Sequence, residues 1–196
     1  MINYDLYVGV DWSGALGSSH RGISVFIIDN NSSFPKKINP PFFKNWSRTD
    51  LIKWLLEISK HYKTLIGIDF AFAYPFHKNK YYFNCSRNSP KNPFKLWKLI
   101  DKLNINSSDF YGGKIWDHDD FGRYYNAPKR KVGSLFKSSR RLTEINIKKI
   151  KSPSSAFNCV GPGAVGTGSL AGMRCLHYLE NKANIWPFNN YNIQKN

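Results

Sequence analysis

Short apolar bursts separated by clusters of Gly, Ser, Asn, Asp and Pro set the rhythm of this chain, and their periods differ along it. Residues 5–11 and 64–69 are nearly continuous apolar runs cut off by turn signals, which read as buried strands. Between them, 22–28 (Gly22-Ile23-Ser24-Val25-Phe26-Ile27-Ile28) reads as a second strand, a hairpin partner to the first across the Gly/Ser-rich turn from Ser13 to Ser19. Asp29 to Ser33 is a turn, and a weaker third strand is predicted near Phe42 to Trp46. Ser47 stands where a helix cap belongs, with Asp50 in the capping-box position. Leu51, Trp54, Leu55 and Ile58 then recur at helical spacing, which predicts an amphipathic helix over 48–61. The order is β-β-β-α-β: an antiparallel hairpin, a crossover helix and a parallel return.

Beyond residue 75 the pattern loosens. Residues 76–135 are rich in Asn, Lys, Pro and aromatics and read as an insertion with its own aromatic cluster and one helix, 93–103, opened by Pro93. A glycine-rich loop, Gly161 to Gly168, precedes Ser169 as a cap and a helix over 170–181. The fold class expected is α/β: a mixed sheet with helices on its faces and one insertion, in a single domain over 1–196.

Composition narrows the function classes. No apolar run approaches a membrane span, and the N-terminus lacks the basic segment of a signal peptide, so a cytoplasmic protein without a membrane partner is expected. Cys85, Cys159 and Cys175 lack metal-ligand spacing and should be reduced and packed. The net charge of +16 favours nucleic acid or a phosphorylated ligand as partner. The competing explanation is a general Lys/Asn/Ile bias. The densest basic cluster is Lys129-Arg130-Lys131, Lys137, Arg140-Arg141, Lys148-Lys149 and Lys151.

Candidate chemistry begins with Asp11 and Asp69, each at the end of a strand-like run. A carboxylate at the end of a buried strand is costly unless its charge is compensated. Two on neighbouring parallel strands would share one sheet edge, where α/β sheets bind ligands, and would suit Mg²⁺ or Mn²⁺. The alternative is that each caps a turn. Gly163, Gly166, Gly168 and Ser169 form a loop able to cradle an anion at a helix N-terminus, with Ser13 on the turn after the first strand. Close helix–sheet packing explains the glycines equally well. Arg140 and Arg141 offer guanidinium forks for phosphate, and Glu144 beside them is a third metal-ligand candidate. Asp117-His118-Asp119-Asp120 reads foremost as a solvated loop that neutralises nearby cations. His20, His61, His77 and His177 are isolated.

The strand order with Asp11 on the first strand and Asp69 on the fourth resembles the ribonuclease H-like fold, whose corresponding positions hold metal-binding carboxylates. More narrowly, the segments 9–15, 67–72, 140–144, 163–172 and Trp186-Pro187-Phe188 resemble a bacterial family related to the DUF429 group of predicted ribonuclease H-like nucleases. The resemblance implies a metal site at Asp11 and Asp69. It also implies a third carboxylate on a C-terminal helix, for which Glu144 or Asp120 would substitute unless the chain is truncated at its C-terminus. The reading that follows is a metal-dependent nuclease or phosphodiesterase. Two alternatives stand beside it. One is an actin-like nucleotide-binding phosphotransferase gripping its ligand with Gly163 to Gly172. The other is a catalytically inactive nucleic-acid-binding protein whose aromatics at Tyr81-Tyr82-Phe83, Phe110-Tyr111 and Tyr124-Tyr125 stack bases. Oligomeric state is left open.

Overall fold

Leu6, Val8 and Val10 alternate along the first strand with Tyr7, Gly9 and Asp11, and this alternation organises the sheet. The computed structural model describes residues 3–76, 81–84, 86–146 and 153–188. Strands β1 (Leu6–Asp11), β2 (Ser24–Asp29), β3 (Lys36–Ile38) and β4 (Thr64–Ile68) form one mixed sheet in the order β3-β2-β1-β4. β1 pairs antiparallel with β2 and parallel with β4, and β2 pairs antiparallel with β3. The expected hairpin, crossover helix and parallel return are therefore present in an α/β arrangement.

Helix α1 (Arg48–His61) joins β3 to β4. Its start follows the expected capping box: the Ser47 hydroxyl accepts from the Asp50 N–H at 2.9 Å and donates to the Asp50 carboxylate at 2.6 Å. α2 (Pro93–Leu103) is capped by the Asn92 side chain and lies along α4 (Gly166–Leu179). A single turn, α3 (Leu142–Asn146), and two short 3-10 turns, Gly113–Asp117 and Gly122–Tyr124, complete the elements. Leu6, Val8, Val10 and Val25 of the sheet share one core with Leu51, Ile52 and Leu55 of α1 and with Leu170 and Met173 of α4.

The opposite face of the sheet differs from the expectation. Tyr7, Gly9 and Asp11 of β1, Phe26 of β2, and Leu65 and Gly67 of β4 are exposed, so no described element covers it. β1 and β4 are thus half-buried strands rather than fully buried ones. The continuous apolar run misled because Tyr7 and Leu65 are apolar on the open side as well. A concavity of about 430 Å³ lies on this face, floored by Gly9 and Gly67 and flanked by Tyr7, Phe26 and Leu65.

Two boundaries also move. The third strand is Lys36–Ile38, not 42–46. Pro40-Pro41 removes two ladder donors, Phe42 and Phe43 project into solvent, and only Trp46 is anchored, by a bridge to His20 and a ring contact with Trp54. α4 starts at Gly166 and ends at Leu179 rather than spanning 170–181. The first turn contains Gly166 and Gly168, and low helical propensity hides a helix start of that kind.

Candidate functional site

In the parallel β1–β4 ladder Gly9 faces Gly67 and Val10 faces Ile68, and the Asp69 N–H donates to the Val10 carbonyl at 3.0 Å. The next step in register brings Asp11 and Asp69 to neighbouring positions, on strands about 4.8 Å apart. Both follow the exposed parity, so the two carboxylates stand on the open face at the C-terminal end of the parallel pair. Ser24 flanks Asp11 on the β2 side. Neither carboxylate accepts a hydrogen bond or joins an ion pair among the described residues. Because both are exposed, the desolvation cost expected of a carboxylate at a buried strand end does not arise, and their oxygens stay available for a cation.

Both strand ends are latched to the first turns of α4. The Trp12 indole N–H donates to the Gly168 carbonyl at 3.1 Å. A Cβ on Gly14 would lie 2.1 Å from the Thr167 carbonyl carbon, so only glycine permits this approach. After β4, the Ala71 N–H donates to the Ser169 hydroxyl at 3.2 Å, and Phe70 packs where a side chain on Gly172 would stand. The Trp12 and Phe70 rings meet at 5.4 Å. The Trp97 indole holds the Phe72 carbonyl at 2.7 Å.

A second brace comes from residues that sequence reasoning missed. Arg48, fully buried at the start of α1, donates to the Ser13 carbonyl at 2.7 Å, to the Ala15 carbonyl at 3.1 Å and to the Asp109 carbonyl at 2.6 Å. The Asp109 carboxylate accepts from the Arg48 and Thr49 N–H groups at the open end of α1 and lies 2.8 Å from His20 Nε2. Burial pushes the Asp109 carboxyl up, but these hydrogen bonds outweigh it and hold its pKa below the ordinary value. Burial likewise lowers the Arg48 pKa, against the pull of Asp109. Arg48 and Asp109 are 61 residues apart, and no local motif links them.

The glycine-rich loop is built mainly for packing. Gly166 sits against Cys159 and the Asn158 and Ala156 carbonyls, where a Cβ would clash. Gly161 and Gly163 take positive φ, and open space surrounds them. Ser169 is not the cap: Val165 holds that position without a side-chain bond, and Ser169 donates to the Val165 carbonyl at 2.8 Å from inside the helix. Ser13 accepts from the Ala15 N–H at 3.3 Å, shaping the turn after β1.

The remaining candidates lie in other interactions. Glu144 is buried and accepts from the Arg141 N–H at 2.6 Å and the Arg141 guanidinium at 3.0 Å. The Arg140 guanidinium donates to the Pro153 carbonyl at 2.8 Å. Asp117 pairs with Arg130, as a charge-neutralising loop would, whereas Asp120 accepts from the neutral Ser86 hydroxyl at 2.6 Å. Among the described residues no three His, Cys, Asp or Glu side chains gather closely enough to hold a metal ion, so neither Glu144 nor Asp120 completes a three-carboxylate group with Asp11 and Asp69.

Phe83, Tyr124 and Tyr125 are buried in an aromatic cluster with Tyr74 and Phe157, and Tyr82 is buried against Phe76, which removes all four as base-stacking surfaces. Burial raises the Tyr74 and Tyr125 pKa values well above the usual phenol range. Cys159 and Cys175 are buried, as expected; Cys85, His77, Lys148, Lys149 and Lys151 lie outside the described residues. No described helix is long and apolar enough to cross a membrane. Comparison of the chain with protein-family models, with curated proteins and with solved structures finds no match.

Proposed function

We propose that the protein is a metal-dependent phosphodiesterase of ribonuclease H-like fold that acts on nucleic acid, with Asp11 and Asp69 as its metal-binding pair. The observation that carries the reading is the placement of two unpaired carboxylates at neighbouring register positions on the open sheet face. The sheet order β3-β2-β1-β4 with α1 as the crossover is compatible with that fold. The donor set fits the ion: Mg²⁺ commonly takes one or two protein carboxylates and completes its shell with water and substrate phosphate. When bound, such an ion polarises a phosphate oxygen and acidifies a water. The chain's own residues then hold the ion at Asp11 and Asp69 and fix both strand ends against α4. Lys129, Arg130 and Lys131, all exposed, attract the phosphate backbone in a salt-dependent way.

Calorimetric titration of Mn²⁺ into the protein, beside Asp11→Asn and an Asp119→Asn control on the exposed loop, tests it. Saturable binding in the wild type and the control, lost in Asp11→Asn, supports the site. No binding in the wild type, or equal binding in all three, refutes it. Nucleic-acid binding without cleavage by the Mn²⁺-loaded protein would instead favour a non-catalytic binding role.

A further inference from the structure

The two edges of the sheet are built differently. β3 is three residues long, follows Pro35 and carries Lys36 and Lys37. Short length, proline and lysine are how edge strands avoid pairing with other chains. β4, at the opposite edge, reads Thr64-Leu65-Ile66-Gly67-Ile68, with no charge and no proline.

Backbone parity shows what this edge presents. The Asp69 N–H donates to Val10, and the Lys63 carbonyl accepts from the Asp5 N–H at 2.8 Å, so odd-numbered residues bond toward β1. Thr64 and Ile66 consequently turn N–H and C=O outward, as Ile68 does its N–H. Among the described residues no backbone partner meets Thr64 or Ile66 on that side, and the Ile68 carbonyl takes one bond, from Phe70.

We propose that a second copy of this chain docks on this edge, β4 against β4, antiparallel and centred on Ile66. In that register Ile66 meets Ile66, and Thr64 meets Ile68 of the other copy; all are positions whose backbone groups already point outward. Leu65, half exposed, then stands opposite Gly67 of the other copy, which has no side chain to obstruct it. Lys63 stands opposite Asp69 of the other copy on the same face, so two opposite-charge pairs close the ends of the ladder. Sliding the register by two residues, the smallest step that keeps the sides, separates both charge pairs and sets Leu65 against Leu65 or Asp69. The complementarity is thus specific to one symmetric arrangement, as an isologous dimer requires. At physiological ionic strength the Debye length of about 8 Å screens most of the repulsion between two basic copies. The pairing rests on the β4 edge and on Lys63 with Asp69; a metal at Asp11 and Asp69 would compete for the charge pairs, so the edge is probed with metal removed.

Sedimentation equilibrium at physiological salt with chelator present, over a wide range of chain concentration, tests it apart from the metal site. The wild type is expected to show a reversible monomer–dimer equilibrium. Lys63→Asp should weaken the dimer about 30-fold by turning two attractive pairs repulsive, and Lys63→Asp with Asp69→Lys should restore it to within about threefold. Leu65→Lys, at an exposed position away from Asp5, breaks the same interface independently and should also yield monomer. A wild type that stays monomeric throughout overturns the proposal. So does a dimer that neither Lys63→Asp nor Leu65→Lys weakens, or a folded double variant that stays monomeric.

Discussion

Replacing Arg48 with methionine tests the idea that the turn after β1 is held in place from within the core. The substitution keeps most of the buried stem and removes the guanidinium. Four hydrogen bonds go with it, to the Ser13, Ala15 and Asp109 carbonyls, two of them sharing Ala15. The Asp109 carboxylate, 3.6 Å from the Arg48 Nε, loses its nearest fixed cation in a site with almost no water contact. Breaking a buried pair from one side costs about 3–5 kcal/mol. A domain of this size has about 5–15 kcal/mol in total, so the loss is a large share. Urea unfolding followed by tryptophan fluorescence should show a large fall in midpoint at unchanged slope. The double variant with Asp109→Asn should cost less than the sum of the two singles, with a coupling of about 0.5–3 kcal/mol. A loss below about 1 kcal/mol, or strict additivity, would refute the reasoning and assign the bracing of this turn to Trp12 and Gly14 alone.

The depressed Asp109 carboxyl predicts a pH dependence with a definite sign. Its folded pKa lies below the unfolded value of about 3.9, so its contribution is present above that value and fades as pH falls through the folded pKa. Asp109→Asn should flatten the stability curve in that acid window, as read from urea midpoints across pH. Gly14→Ala should destabilise by about 1–3 kcal/mol, because the added methyl meets the Thr167 backbone. Gly9→Ala, on the open face with nothing within 4 Å, should be neutral or stabilise by up to about 1 kcal/mol. Equal effects at both glycines would show that the close approach at Gly14 is not rigid.

The β1–β2 hairpin, the crossover helix and the parallel return were legible because their signals are local, whereas the third strand was misplaced. The capping box at Ser47 and Asp50, the helical spacing of Leu51, Trp54 and Leu55, and Pro93 at the start of α2 each act within a turn or two. The Asp11–Asp69 neighbourhood could be read because two similar runs flank a single crossover helix. What could not be read depends on distant chain segments. Tyr7 and Leu65 look like core residues by type, and only the absence of a covering element makes them surface. Gly166 and Gly168 look like loop, yet they lie in the first turn of α4, where Gly166 packs closely against Cys159 and the Asn158 carbonyl. The grip of Arg48 on Ser13, Ala15 and Asp109 has no signature in residue spacing. Glu144 was an attractive ligand by composition, but Arg141 three residues away engages it first.

The latch between the strand ends and α4 also carries a consequence for synthesis. Trp12 waits for Gly168, 156 residues later in the chain, and Ala71 for Ser169, 98 residues later. On the ribosome, β1 to β4 can emerge and pair long before α4 exists. The carboxylate pair then sits on unlatched turns until α4 has been translated. Closing such long loops is slow relative to local structure. Any activity that needs Asp11 and Asp69 fixed in place is thereby withheld from a nascent chain that has not yet released α4.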